Sequence, residues 1–296
     1  MGDFGNGSKR ALHFHRAPRR VVSLVPSITE SLWDLGLGES LVGITDYCIF
    51  PADQLQGLPR LGGPKNPRVD EIVALNPDLI LANQEENTPA TVNALETAGL
   101  PVLVTFPTTV RQALDVLWMI TGIYQSQTAA VRLETLEFTL EWMQSASYDQ
   151  SKKRYFCPIW QDTTSSGVRW WMTFNQHTYI HDLLSLVGGE NVFSDRDRHY
   201  PLAADLGDGS PEDPGDRDTR YPRVDLEEIL RGDPEIILLP SEPFGFNEQH
   251  KQAIEDLMGE TTAAKNGRVY LVDGSLLTWH GTRLGKAFQE LPGLFS

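Results

Sequence analysis

Residues able to do chemistry are few and dispersed in this 296-residue chain. His177 and His181 stand four apart, which puts two imidazoles on one helical face, but two nitrogens alone do not make a metal centre. His199 and His250 are isolated; His13 and His15 lie near the start and could touch a metal only there. His280 is the histidine to keep. It follows Trp279 in a loop after an apolar run, so it is either a ligand contact or a hydrogen-bonding surface residue. Cys48 and Cys157 belong to no CxxC or Cys/His spacing, so free thiols are expected rather than zinc ligands. There is no G-x-S-x-G elbow, P-loop, GxGxxG or HExxH, which removes the motif-borne routes to hydrolysis and nucleotide binding. What the chain does concentrate is aromatic rings: Trp160, Trp170, Trp171, Phe174 and Tyr179 fall in one stretch. Trp170 and Trp171, read as part of a Gly- and Ser-containing loop, are not expected both to point inward. Flat rings suit a flat apolar ligand, and an amide such as Asn175 could fix its orientation. Ordinary core packing is the competing reading.

Composition narrows the partners. A net charge of −15 argues against nucleic acid or anionic lipid. No window approaches the roughly 18 apolar residues of a membrane span. Residues 1–18 are polar, Gly-rich and basic, and read as a flexible tail without a secretory signal. As written, that implies a cytoplasmic protein, or a periplasmic or extracellular one if the N-terminus is truncated.

The elements that would position these side chains come in two similar sets. Val69–Ala82 reads VDEIVALNPDLILA and Leu226–Leu239 reads LEEILRGDPEIILL. Aligning Asn76-Pro77-Asp78 with Asp233-Pro234-Glu235 pairs Asp70 with Glu227 and Ile72 with Ile229. Each copy is a short amphipathic helix, a proline turn and an apolar run suited to a buried parallel strand. Between them runs Ser126–Tyr148, inside the longest stretch without Gly or Pro. Ala129, Leu133, Leu136, Leu140 and Met143 share one helical face there, and predict a rod of roughly 33 Å. Two similar α/β lobes flanking a helix follow from this pattern.

Loops after the expected strands hold the remaining candidates. After Arg20–Leu24, Ser27 and Glu30 have the capping-box spacing, and the helix N-terminus beside Pro26 offers free N–H groups. Tyr47 and Phe50 follow the strand Leu41–Thr45, and Lys65 and Asn66 lie in a Gly- and Pro-rich loop. Asn83 and Glu85 follow the first repeat strand, and Phe244 follows the second. Arg154–Trp160 is expected as the first strand of the second lobe. Residues 196–220 form an acidic, Pro- and Gly-rich insertion, either a mobile loop at a cleft mouth or a solvated excursion.

In order, RVVSLVPSITESLWDLG, LVGITDYCIFP, LGGPKNPRVDEIVALNPDLILA and AGLPVLV resemble the substrate-binding proteins of ABC importers for cobalamin and iron chelates. The likeness is strongest to the helical-backbone metal receptors among them. It implies a class III periplasmic-binding-protein fold: two Rossmann-like lobes with parallel sheets, joined by one long helix. The implied division is 19–125, a connecting helix at 126–150, and 151–296. The implied function is non-enzymatic, with a corrinoid or other metal chelate held between the lobes. Tyr47, Phe50, Trp160, Trp170, Trp171, Phe244 and Trp279 would be its walls. Pro26, Ser27, Lys65, Asn66, Asn83, Glu85 and Asn175, with His280, would be its polar frame. Asp70 and Glu227 match the family's permease-docking acids, and a monomer without a resident cofactor is implied. One alternative is a cytoplasmic metal-cofactor enzyme or chaperone, marked by a buried pair of His280 with Glu85 or Glu242. The other is a ferric-siderophore binder with Arg169, Arg283 and Lys65 in the cleft.

Overall fold

The computed structural model describes residues 15–147 and 151–296. Most of the expected N-terminal tail, His13 included, and Tyr148 at the end of the expected rod lie outside them.

The first half contains β1 (Val21–Ser23), α1 (Pro26–Asp34), β2 (Leu41–Ile44), a hairpin of β3 (Gly62–Gly63) and β4 (Asn66–Pro67), and α2 (Val69–Ala74). It continues through β5 (Leu79–Asn83), α3 (Pro89–Thr97), β6 (Val102–Thr105) and α4 (Val110–Tyr124). β2, β1, β5 and β6 pair in parallel in that order. The central β5 is buried on both faces, which is why LILAN shows no polar alternation.

The second half holds β7 (Lys153–Phe156), β8 (Trp160–Thr163), β9 (Arg169–Met172), α6 (Tyr179–Leu186), β10 (Gly189–Asn191), α7 (Leu202–Asp205) and β11 (Arg223–Val224). Then come α8 (Leu226–Gly232), β12 (Ile236–Pro240), α9 (Glu248–Leu257), α10 (Thr262–Lys265), β13 (Val269–Val272), α11 (Ser275–Thr278), α12 (Leu284–Glu290) and α13 (Pro292–Phe295). The parallel order β10-β7-β12-β13 repeats that of the first sheet, with β12 in the place of β5.

The repeat extends to atomic detail. Asn76 and Asp233 both take positive φ, 47° and 40°, in the left-handed region that Asn and Asp tolerate best. One residue past each proline, Asp78 and Glu235 accept the main-chain N–H of Arg20 and Arg154, at 2.9 and 3.1 Å. Each arginine returns its guanidinium to the end of the preceding helix, Arg20 to the Leu75 carbonyl at 2.7 Å and Arg154 to that of Gly232 at 3.2 Å.

Between the halves runs α5 (Gln127–Ser147), 21 residues or about 32 Å long. Ala129, Leu133, Leu140 and Met143 are buried, and Leu136 is half-buried. They join a single apolar core containing Val21 and Leu79 from one sheet and Tyr155 and Leu238 from the other. On its partner α4, Arg111 and Trp118 both reach Glu137, at 2.5 and 2.9 Å.

Two expectations fail. Ser27 does not cap α1: Pro26 takes the first helical position, so the cap falls on Val25 and Ser27 sits inside the first turn. Arg154–Trp160 is not one strand, since β7 ends at Phe156 and Trp160 opens β8 of a separate antiparallel sheet, β11-β9-β8. The 196–220 insertion is packed at its two ends, while residues 207–216 between them are exposed. Arg196 joins Asp205 at 3.0 Å and Glu228 at 2.7 Å; Tyr200 lies between the Arg198 and Arg217 guanidiniums, each 4.1 Å from its ring centre.

Candidate functional site

Parallel strands deliver their following loops to one edge, where backbone and side chains are free to meet a ligand. On the first half, Asn83 ends β5. Its Oδ1 accepts the Glu85 N–H at 2.8 Å, so the amide nitrogen turns toward Thr105 Oγ1 at 3.3 Å and His280 Nε2 at 3.4 Å. Asn87 ties this loop to its neighbours through the carbonyls of Leu24 and Pro64. Lys65 donates to the Glu85 carbonyl, and Tyr47 and Asn66 lie exposed at the β3–β4 hairpin. Pro26 and Ser27 are buried at the foot of α1, beneath Gly281 of the second half. A Cβ at Gly281 would come within 2.3 Å of Ser31 Oγ, so only glycine permits this approach.

The second half brings aromatic groups to the same place. Trp279 meets Phe50 edge-on, with centroids 5.8 Å apart, and the Arg283 guanidinium lies over both rings at 4.8 and 4.5 Å. Arg283 also makes a two-pronged bond to Glu30 of α1, at 2.7 and 2.6 Å. Burial raises the Glu30 pKa even against that partner's pull, so desolvation outweighs attraction here. Nearer the rim, Glu85 accepts from Tyr221 at 2.7 Å and pairs with Arg220 at 2.9 Å, and Arg220 stacks on Phe106.

His280 is buried, which removes the surface alternative, and it packs edge-on to Tyr179. Burial lowers its pKa to about 4. The Asn83 amide can only donate, so Nε2 is the acceptor of a neutral ring. The His–carboxylate pair of the enzyme alternative does not form: Glu85 is taken by Arg220 and Tyr221, and Glu242 accepts from Thr278 at 2.6 Å. Among the described residues no three His, Cys, Asp or Glu side chains converge as metal ligands.

The aromatic pair divides by strand geometry. Trp170 and Trp171 are neighbours on β9, not in a loop, and point to opposite faces. Trp171 enters the core with Phe156, Phe193 and Val224, so it is no wall of a cleft. Trp170 takes the other face with Trp160, which in turn meets Phe244 at 5.5 Å. Both tryptophans are buried, 7% and 1% exposed, against the expectation that they could not be. Asn175 is also displaced from the frame: its amide holds Asp197 at 2.8 Å and supports the insertion. Arg169 is exposed on the outer end of β9. Sequence reasoning missed Asn87, Arg220, Tyr221 and Arg223. The run Arg220-Tyr221-Pro222-Arg223, basic and aromatic at the close of an acidic insertion, was the available signal.

A protein-family model described as periplasmic binding protein matches residues 21–276. The chain belongs to that family. A vitamin B12-binding protein of Yersinia pestis is 29% identical over 187 residues, 63% of this chain and 64% of that protein, so the match spans less than two thirds of the relative. The crystal structure of the periplasmic vitamin B12 binding protein of Vibrio cholerae superposes with a TM-score of 0.71 at 21% identity, covering 94% of this chain and 96% of that one. A periplasmic heme binding protein of Pseudomonas aeruginosa gives 0.69 at 20% identity, covering 94% and 92%. At these identities the two structures establish the shared class III fold.

Proposed function

We propose that this binding protein holds a metal chelate with a flat apolar surface, a corrinoid or a comparable macrocycle, in the cleft between its two lobes for ABC-type uptake. The observation that carries the reading is the meeting of Phe50 with Trp279 and of Glu85 with Tyr221, where loops from both parallel sheets converge. Sequence similarity to a vitamin B12-binding protein supports the ligand class. Tyr47, Phe50, Trp160, Trp170, Phe244 and Trp279 supply the apolar walls in this reading, and Lys65, Asn66, Asn83, Glu85 and His280 the polar frame. Burying ~400 Å² of apolar ligand surface at ~25 cal/mol/Å² contributes about 10 kcal/mol, reduced by association costs to roughly micromolar affinity before polar contacts add to it.

The lobes divide in this reading at 19–125 and 151–296, with 126–150 between, and the working unit is a monomer. Asp70 and Glu227, both exposed at the starts of α2 and α8, are its permease-docking acids. Equivalence in the repeat supports that role, and the helix dipole favours acids there in any case. Replacing both by Ala should leave ligand affinity unchanged and abolish ligand delivery in vesicles carrying the cognate permease.

The decisive titration follows Trp emission as cyanocobalamin, cobinamide, haemin and a ferric siderophore are added. Saturable quenching by one class at low micromolar concentration, weakened by Trp279→Ala, supports the reading. Quenching by none of them refutes it.

A further inference from the structure

The helix α5 is apolar on two faces, and the fold uses only one of them. Ala129, Leu133, Leu140 and Met143 enter the main core. On the opposite side Val131, Phe138 and Trp142 are 54%, 71% and 61% exposed. Scattered singly, exposed apolar side chains are ordinary. These three are aligned. With Thr135 and Ser145, also exposed, they occupy positions 131, 135, 138, 142 and 145, a spacing of four, three, four and three. That is the a/d seam of a coiled coil, and a helix that only lines a core needs no second stripe.

One flank of the seam is acidic. Glu134, Glu137 and Glu141 share a face, and Glu137 is held there by Arg111 and Trp118, so this flank is the one turned to α4. Asp115, one turn from both Arg111 and Trp118, adds a carboxylate from α4. Glu134, Glu141 and Asp115 are exposed, and among the described residues none of them enters a salt bridge. Charge then decides between occupants. A second copy laid antiparallel on the same seam would set Glu134 of one chain against Glu141 of the other, in two chains of net charge −15 each. An anionic bilayer is repelled for the same reason. A helix with lysines or arginines along the matching flank is attracted, and it covers the three exposed side chains as it docks.

We propose that this outer stripe of α5 receives a helix of another protein, apolar on one face and lined with Lys or Arg along the flank that meets Glu134, Glu141 and Asp115. None of these residues belongs to the candidate cleft, so the inference goes beyond the chelate-holding reading and does not depend on it.

Fluorescence anisotropy on the full chain tests it with two labelled helical peptides as long as α5. Both carry Leu at the a and d positions; one has Lys on its flanks and the other Glu. The Lys peptide should bind about tenfold or more tighter than the Glu peptide, with the gap shrinking as salt rises. Phe138→Ala combined with Trp142→Ala should weaken the Lys peptide about tenfold or more and leave the melting temperature unchanged. Glu134→Lys with Glu141→Lys should reverse the preference. Glu96→Lys with Asp256→Lys, the same charge change at exposed acids elsewhere, should not. An equal effect from the remote pair reduces the binding to net charge and overturns the inference. So does a dimer in sedimentation that Phe138→Ala dissolves, which assigns the seam to a second copy. Seam-dependent binding to neutral phosphatidylcholine vesicles assigns it to lipid instead, and tighter peptide binding after deletion of residues 1–14 assigns it to that basic segment; either result also overturns the inference.

Discussion

At the residue scale, His280 carries the clearest titration. Its folded-state pKa, about 4, lies below the ordinary 6.5, so the unfolded chain takes up the proton first. The stability this represents is complete above pH 6.5 and lost as pH falls from there toward 4, about 3 kcal/mol in all. Chemical denaturation across that window should show the slope, and His280→Asn should flatten it; an unchanged slope would place the titration elsewhere. His280 was singled out because it stands beside a tryptophan in a loop after a strand, but that context fitted a hydrogen-bonding surface residue at least as well, and only its burial removes that reading. Trp171 was misread for an equally local reason. Arg169–Met172 looked like loop between glycine- and serine-containing segments, whereas the strand period of two let each of two adjacent rings find its own buried face. Arg223 was missed because its pairing with Met172 crosses some fifty residues of sequence, and no local spacing encodes that.

At the element scale, the rod was readable because one apolar face persists over six turns. Leu133→Ala, deleting a fully buried side chain from that face, should cost about 2–5 kcal/mol in urea denaturation, whereas Phe138→Ala on the exposed face should cost less than about 0.5. Equal costs would mean the packed face had been misassigned. The bond from Arg283 to Glu30 joins the residue that caps α12 to α1 across the lobes, yet Glu30 is held above its usual range by burial. A double-mutant cycle distinguishes attraction from specificity. Arg283→Met alone should cost about 3 kcal/mol by stranding a buried carboxylate, and adding Glu30→Gln should recover a good part of it. Additive losses would contradict that account. No sequence pattern announced this pair, since its members stand at opposite ends of the chain. The failed cap at Ser27 shows a competition between two start signals, which the proline won by fixing its own φ.

At the scale of the whole molecule, the two-lobed plan was visible in the repeated helix–proline–strand unit, and the shared strand order of the two sheets bears that reading out. How the lobes meet was not visible, because loops of different origin build that junction and each contributes one or two residues. The continuous core through α5 argues for small rather than large opening motions. The two cysteines offer a way to time them. Both are free and fully buried, one in each half, and burial raises each thiol's pKa. Both sulfurs belong to the main apolar core; Cys48 sits in the loop bearing Tyr47 and Phe50, against Thr29 and Thr45, while Cys157 follows β7. Reaction with a thiol-specific reagent must therefore wait for the molecule to expose each sulfur. Cys48 should react at the rate at which the Tyr47–Phe50 loop lifts and, with the proposed site, be slowed by ligand; Cys157 should react only on global unfolding. The native chain thus contains a pair of unlabelled clocks, one for the cleft and one for the fold.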